Sequence, residues 1–114
     1  ELRIVFTISP IRHFKDGAHG NTLSKATLHL ATDMLTCLCP GTEYFPAYEL
    51  LVDDLRDYRF YAADMLHPSD VAADYVWQHF TATYFTTGGR AELARRAAAI
   101  RASRHRPITG GNSL

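Results

Sequence analysis

The sequence has no excess of charge of either sign. Its 114 residues carry twelve Lys and Arg against twelve Asp and Glu, so the formal net charge is zero. Binding to the phosphate backbone of nucleic acids relies on a strong positive field, which this chain lacks as a whole. Nucleic acid is therefore not an expected partner.

Cysteine is scarce. Cys37 and Cys39 are the only two in the sequence, and a single residue separates them. This spacing is too short for an ordinary disulfide between distant elements, and a zinc site would need a second pair of ligands. The sequence therefore predicts two reduced thiols and no metal site, and the reduced thiols favour a cytoplasmic location.

Long apolar runs are also missing. No stretch of about 18 apolar residues and no charged-then-apolar leader occurs, so we expect neither a membrane span nor a signal peptide. The chain opens with Glu1 and enters an apolar run at once, which is typical of a segment cut from a longer protein. A targeting signal upstream would then lie outside it. With 46% hydrophobic and 21% charged residues, the composition is that of one soluble globular domain.

Two short runs rich in apolar and aromatic residues predict β-strands. The first covers residues 2–9 and ends at Ser9-Pro10, because proline has no N–H to donate to a sheet, and the second covers residues 43–52. Apolar spacing or alanine content predicts three helices, one capped by Asn21 and ended by Cys39-Pro40-Gly41, one capped by Ser69, and one over residues 90–105 after an interruption at Gly88-Gly89.

The alternation of strands and helices predicts an α/β fold with parallel strands. Two strands are too few to bury both faces of such a sheet. Either the remaining strands lie upstream in a parent protein, or the chain pairs with another copy of itself.

The segment Asp64-Met65-Leu66-His67-Pro68 carries the clearest chemical signal. A carboxylate three residues before a histidine can accept a hydrogen bond from Nδ1, which leaves Nε2 free as a general base. With eight Asp and six His in the chain, about half an Asp-x-x-His is expected by chance, so the spacing alone is weak support. A loop-capping pair without catalysis is the alternative interpretation.

The context of this segment is more specific. Asp64 to Ser69 resembles the last motif of the SGNH/GDSL hydrolases, in which Asp-x-x-His and a following proline supply two members of a Ser-His-Asp triad. Further segments resemble the GSCFA family, which is related to the GDSL esterases and is named for a Gly-Ser-Cys-Phe-Ala motif. They are Phe6-Thr7-Ile8-Ser9-Pro10-Ile11-Arg12-His13, Asp16-Gly17, Asn21, Leu23-Ser24-Lys25-Ala26, Tyr44-Phe45-Pro46-Ala47-Tyr48-Glu49 and Asp57-Tyr58-Arg59-Phe60-Tyr61.

The resemblance covers about residues 3–85 and implies a function. It implies a partial flavodoxin-like, three-layer α/β fold, with residues 1–106 as the C-terminal part of one hydrolase domain. Residues 107–114 have no periodicity, which predicts a flexible tail. His67 would be the general base and Asp64 its partner in the hydrolysis of an acyl ester of a small molecule or a glycan. The Gly-Ser-Cys-Phe-Ala motif is absent from the chain, so the nucleophilic serine would come from upstream and this segment would be inactive alone.

Basic residues follow the first predicted strand. Arg12 and His13 lie beyond its carboxyl end, where ligands of open α/β sheets bind, so both are candidate substrate contacts. A solvated loop is an equally good interpretation. Ser9 lies at the same edge, but it lacks the glycine-flanked turn that exposes a nucleophilic hydroxyl. Acyl transfer through a serine needs no metal or organic cofactor.

Two further groups leave alternatives open. The aromatic and basic run from Tyr58 to Tyr61 can line a pocket, although packing beneath the Asp64–His67 loop is the favoured interpretation. The last predicted helix carries six arginines at or near it and only Glu92 in opposition. The alternative function is therefore a non-catalytic interaction module whose basic helix binds an acidic partner.

Overall fold

The computed structural model describes residues 1–105, so the predicted tail over 107–114 lies outside the described residues. The chain divides into two compact units, Glu1–His79 and Phe80–Leu114. The strands are β1 (Ile4–Thr7) and β2 (Thr42–Phe45), and the α-helices are α1 (Gly17–Leu38), α2 (Ala47–Glu49), α3 (Asp70–Tyr84) and α4 (Thr87–Arg104). A π-helix covers Leu50–Leu55 and a 3₁₀ helix covers Tyr58–Phe60.

The two strands form a parallel pair, as the alternation of elements predicts. Ile4 lies opposite Thr42 and Thr7 lies opposite Phe45, with α1 as the connection between the strands. Gly41 makes the turn into β2 at φ +79°, and a Cβ there would lie 3.2 Å from the Leu2 carbonyl oxygen. The described part of the chain is therefore a mixed α/β structure with a two-stranded parallel sheet.

The prediction that Asn21 caps the first helix is wrong. Helix α1 begins at Gly17, one turn earlier, and Asn21 is buried within it. Its side-chain oxygen accepts a hydrogen bond from the backbone N–H of His13 at 3.0 Å. The side chain is thus used to hold the preceding loop against the helix rather than to satisfy the N–H groups at the start of a helix.

The second strand is shorter than predicted. It ends at Phe45, and residues 47–55, most of which fall inside the predicted strand, are helical. Pro46 has no N–H for a sheet, and its carbonyl instead accepts a hydrogen bond from the N–H of Leu50 at 3.0 Å, which closes the first helical turn. Here the helical turn that follows Pro46 overrides the strand preference of the aromatic and β-branched side chains.

The predicted helix interruption is present but lies before the glycines. Helix α3 ends at Tyr84 and α4 begins at Thr87, so Gly88 and Gly89 belong to the first turn of α4. Thr86 causes the restart, because its hydroxyl accepts a hydrogen bond from the N–H of Gly89 at 3.0 Å. The predicted Ala- and Arg-rich helix is confirmed.

The core of the first unit is small. Its buried apolar side chains are Ile8, Phe45, Ala47, Leu51 and Ala72. In contrast, α1 leaves a series of large apolar side chains exposed, namely Leu23, Leu28, Leu30, Met34, Leu35 and Leu38. Both cysteines are free and exposed. Within residues 1–105, no helix is long and apolar enough to cross a bilayer.

Candidate functional site

The segment that contains Asp64 and His67 is a closed turn between the 3₁₀ helix and α3. At its base, Tyr61 and Pro68 form an antiparallel bridge. Inside the turn, the N–H of Ala62 donates to the His67 carbonyl at 2.8 Å. Just outside it, the N–H of Ser69 donates to the Phe60 carbonyl at 2.7 Å. These bonds fix the backbone on both sides of the Asp-x-x-His segment.

Asp64 uses both carboxylate oxygens within this turn. Its Oδ1 accepts the N–H groups of Leu66 at 2.9 Å and His67 at 3.0 Å, while Nδ1 of His67 donates to Oδ2 at 2.5 Å. The backbone N–H groups of His67 and Leu66, followed by the His67 ring, lower the pKa of Asp64 from 3.8 to about 2. The carboxylate is therefore ionised at neutral pH and holds the imidazole with its Nδ1 protonated.

The residue between Asp64 and Leu66 has an unusual backbone conformation. Met65 has φ +62°, in the left-handed region that few residues other than glycine adopt. Its N–H donates to the Ala62 carbonyl at 2.9 Å, which stabilises the turn. A left-handed non-glycine residue costs about 1–3 kcal/mol, and such residues cluster at functional sites. The conformation folds the chain back so that Asp64 reaches the His67 ring.

The His67 ring faces solvent. Its side chain is 60% exposed and that of Asp64 is 44% exposed. Within residues 1–105, Nε2 of the ring makes no hydrogen bond, and no serine hydroxyl is bonded to it. The pair thus has the geometry of a histidine base and its carboxylate partner, with the second ring nitrogen open to a reacting group.

Arg12, one of the two basic candidates, is brought to this turn by its backbone. The N–H of Arg12 donates to the Leu66 carbonyl at 2.9 Å, which joins the loop after β1 to the Asp64–His67 turn. The Arg12 guanidinium lies 5.9 Å from the ring centre of Tyr61 and 5.0 Å from that of Phe14. Burial raises the pKa of Tyr61, although the charge of Arg12 acts in the opposite direction.

His13 and Ser9 do not meet the Asp64–His67 pair through any hydrogen bond in the described part of the chain. His13 is anchored through its backbone, and the Ser9 hydroxyl accepts the N–H of Ile11 at 3.2 Å in a local turn. The local hydrogen bond of the Ser9 hydroxyl gives no support for a reactive role of this serine. The assignment of His13 as a substrate contact stays a prediction.

Lys25 is a residue whose role spacing does not indicate. It is only 8% exposed, and its Nζ donates to the Ser9 carbonyl at 2.6 Å. Burial lowers the pKa of this lysine. Together with Asn21, one helical turn earlier, Lys25 holds the backbone on both sides of Arg12, at Ser9 and at His13. A polar and a basic residue four positions apart on one helix face is the signal that could have indicated this pairing.

A cavity of about 250 Å³ lies beside Arg12. Among the residues that line it are Arg12, Asn21, Tyr48, Arg56, Tyr58 and Tyr61. Tyr58 and Tyr61 therefore contribute to a cavity wall. The sequence favours packing beneath the Asp64–His67 loop over this pocket-lining role. Within residues 1–105, no group of three or more His, Cys, Asp or Glu side chains is arranged to hold a metal ion.

Comparison with known families and proteins gives one match. The model of the GSCFA family matches residues 1–80, so the chain belongs to the GSCFA family, as the sequence motifs predict. The match includes β1, β2 and the Asp64–His67 turn. Comparison with curated proteins and with solved structures gives no match.

Proposed function

We propose that this chain supplies the histidine and the aspartate of a serine-type acyl hydrolase. The observation that carries the proposal is the 2.5 Å hydrogen bond from Nδ1 of His67 to Oδ2 of Asp64, in a turn whose backbone is fixed on both sides. Membership of a family with hydrolase-like relatives supports it. His67 would be the general base and Asp64 its orienting and charge-stabilising partner.

The proposed reaction proceeds through an acyl-enzyme. Nε2 of His67 takes the proton of a serine hydroxyl as the serine oxygen attacks the ester carbonyl, and it then gives that proton to the departing alcohol. In the second half, Nε2 takes a proton from water as the water attacks the acyl-serine, and returns it to the serine. No serine within residues 1–105 is bonded to the ring, so the proposal assigns the nucleophile to residues outside this range.

A loop-capping role without catalysis predicts different behaviour. The backbone hydrogen bonds at the ends of the turn and the two N–H groups on Oδ1 of Asp64 do not involve the His67 ring. The ring is also largely exposed, so its removal should leave the turn folded. The catalytic proposal therefore expects a variant that is folded but inactive, whereas loop capping alone expects no effect on activity.

The proposal includes a larger fold. We infer that β1 and β2 belong to a flavodoxin-like parallel sheet of more strands, as in the SGNH hydrolases that the sequence resembles. The exposed apolar series on α1 supports this inference, because helices of such folds bury their apolar faces against the sheet or its neighbours. A two-stranded sheet with a core of this size is also unusual for a stable domain.

The test is hydrolysis of a short-chain p-nitrophenyl ester by the full-length protein. His67→Ala should lower kcat/KM at least about a thousandfold, while circular dichroism and the unfolding midpoint stay close to those of the unsubstituted protein. His19→Ala is the matched control, since His19 is an exposed residue of α1 outside the turn, and it should keep full activity. Unchanged hydrolysis in His67→Ala would refute the catalytic assignment.

A further inference from the structure

The four arginines of the first unit fall into two classes. Arg3 forms an ion pair with Glu43 at 2.5 Å, and Arg59 lies 3.8 Å from the carboxylate of Asp57. Arg12 and Arg56 form no ion pair with any carboxylate in residues 1–105. Both residues line the 250 Å³ cavity, whose wall also includes Tyr61 at the base of the Asp64–His67 turn. Nε of Arg56 donates to the Asp53 backbone carbonyl, which carries no net charge, so the positive charges of both guanidinium groups stay uncompensated.

The other cavity residues do not neutralise this charge. None of the described residues that line it is an aspartate or a glutamate. Tyr48, Tyr58 and Tyr61 supply ring faces and hydroxyl groups, and Tyr48 is itself packed edge-on against His29 with 4.7 Å between the ring centres. Two forked cations in an aromatic-lined cleft are suited to a carboxylate or a phosphate, which guanidinium groups bind through paired hydrogen bonds.

Arg56 occupies a backbone position that would suit glycine better. It has φ +65° and ends the π-helix, with its N–H donating to the Leu51 carbonyl at 2.9 Å. At this left-handed position after a helix, glycine avoids the steric cost that a side chain incurs. Nε of Arg56 caps the Asp53 carbonyl of the same helix, whereas its terminal guanidinium N–H groups have no partner among residues 1–105. An arginine kept in a strained conformation at the end of a π-helix points to a function of these terminal groups.

The cavity and the proposed catalytic turn share one backbone framework. Arg12 joins the turn through its hydrogen bond to Leu66, and Tyr61 joins it through the bridge with Pro68. A group bound between the two arginines is therefore held in a fixed relation to the loop that carries His67. This arrangement suits one substrate that has a charged end and an ester bond.

We propose that the cavity between Arg12 and Arg56 binds the anionic end, a carboxylate or a phosphate, of the ester that the enzyme cleaves. The identity of the ligand as a substrate rests on the proposed hydrolase function, whereas the anion site itself does not. The cavity is smaller than the roughly 300–1,000 Å³ typical of sites for drug-sized ligands, so it accommodates only the charged end of the molecule.

Binding is measured first, in the full-length protein with His67→Ala, so that the result does not depend on catalysis. The probes are monomethyl succinate, its neutral analogue dimethyl succinate, and methyl phosphate, titrated by NMR. We expect both anions to bind at least about tenfold more tightly than the neutral diester, as expected for a hydrogen-bonded charge. Tighter binding of monomethyl succinate would assign the site to carboxylates, and tighter binding of methyl phosphate would assign it to phosphates.

Variants then test the two arginines. Arg12→Gln and Arg56→Gln should each remove this preference, and Arg59→Gln should keep it, because Arg59 has a carboxylate partner and does not line the cavity. Arg56→Gly separates function from folding, since it should leave the unfolding midpoint unchanged or higher while it abolishes the preference for the anion. Equal binding of anionic and neutral probes, or a preference that survives Arg56→Gln and Arg56→Gly, would overturn the proposal.

Hydrolysis by the full-length protein tests whether the anion site binds the substrate of the reaction. The ratio of kcat/KM for mono-p-nitrophenyl succinate to that for p-nitrophenyl butyrate should fall about tenfold in Arg56→Gln and stay unchanged in Arg59→Gln. Anion binding without any ester hydrolysis would refute the catalytic proposal and leave the anion site standing. Hydrolysis without a preference for the anionic ester would refute the anion site alone.

Discussion

At the scale of single residues, Asp64 accepts hydrogen bonds from the backbone of the turn and from the His67 ring at the same time. Its Oδ1 holds the backbone of the turn, and its Oδ2 holds the imidazole of His67. The division is possible because a carboxylate has two oxygens, each able to accept more than one hydrogen bond. An amide at this position has only one acceptor oxygen and would have to give up one of these two interactions.

The lowered pKa of Asp64 predicts a specific dependence of stability on pH. Because the pKa falls from 3.8 to about 2 on folding, this group stabilises the folded protein above about pH 4, and that contribution is lost as the pH falls towards 2. In urea unfolding at pH 5, 3 and 2, the free energy of unfolding should therefore fall less with decreasing pH in Asp64→Asn than in the unsubstituted protein.

The control is Asp33→Asn, which changes an exposed carboxylate whose side chain makes no hydrogen bond among the described residues. Its loss of stability between pH 5 and 2 should match that of the unsubstituted protein. If Asp64→Asn lost as much stability as the unsubstituted protein over this range, the carboxylate would not be bonded in the way described.

At the scale of secondary-structure elements, the start of α3 positions the proposed catalytic turn. The hydroxyl of Ser69 accepts the N–H of Ala72 at 3.3 Å, and the Ser69 carbonyl accepts that of Ala73 at 2.9 Å. This is the N-cap that the sequence predicts. Because Ser69 follows His67 by two residues, the end of the turn and the beginning of the helix are a single structure.

Loss of this cap should be measurable. Ser69→Ala should lower the free energy of unfolding by about 1 kcal/mol, whereas Ser69→Asp, which keeps a cap acceptor, should cost less. Ser24→Ala in the exposed part of α1 is the matched control and should be neutral or slightly stabilising, since alanine is the better helix former. Equal effects of Ser69→Ala and Ser24→Ala in urea unfolding would mean that the Ser69 hydroxyl does not cap α3.

At the scale of the whole molecule, the zero net charge conceals a strong separation of charge. Residues 1–79 contain six Lys and Arg against eleven Asp and Glu, a formal charge of −5, and residues 80–114 contain six Arg against one Glu, a formal charge of +5. Two of these arginines, Arg95 and Arg96, are paired with Glu92. Helix α4 has no buried residue, so its remaining basic side chains are open to an acidic partner.

This separation gives a test for the alternative function as an interaction module. The protein should be retained on heparin at low salt and released as salt is raised, because screening and counterion release weaken such binding. Changing Arg101 and Arg104 together to Gln should lower the elution salt more than changing Arg95 and Arg96, because Glu92 already offsets one of the two charges of that pair. Passage through the column at low salt would contradict binding of α4 to a polyanion.

The sequence predicts best what short-range interactions decide. The Asp64–His67 pair, the Ser69 cap and the Ala- and Arg-rich helix involve residues within about four positions of one another, and closing such short loops costs little chain entropy. The motifs likewise predict membership of the GSCFA family. The parallel pairing of β1 and β2 follows from the alternation of elements.

Only the tertiary structure decides what depends on distant residues. Asn21 does not cap the first helix as predicted, because its side-chain oxygen accepts the N–H of His13 in the loop before that helix. The cavity brings Arg12 together with Arg56, which are far apart in the sequence and have no shared motif. Such contacts form only when several elements pack together. Spacing and propensity therefore determine local features such as the Asp64–His67 pair, and packing determines which distant residues line the same cavity.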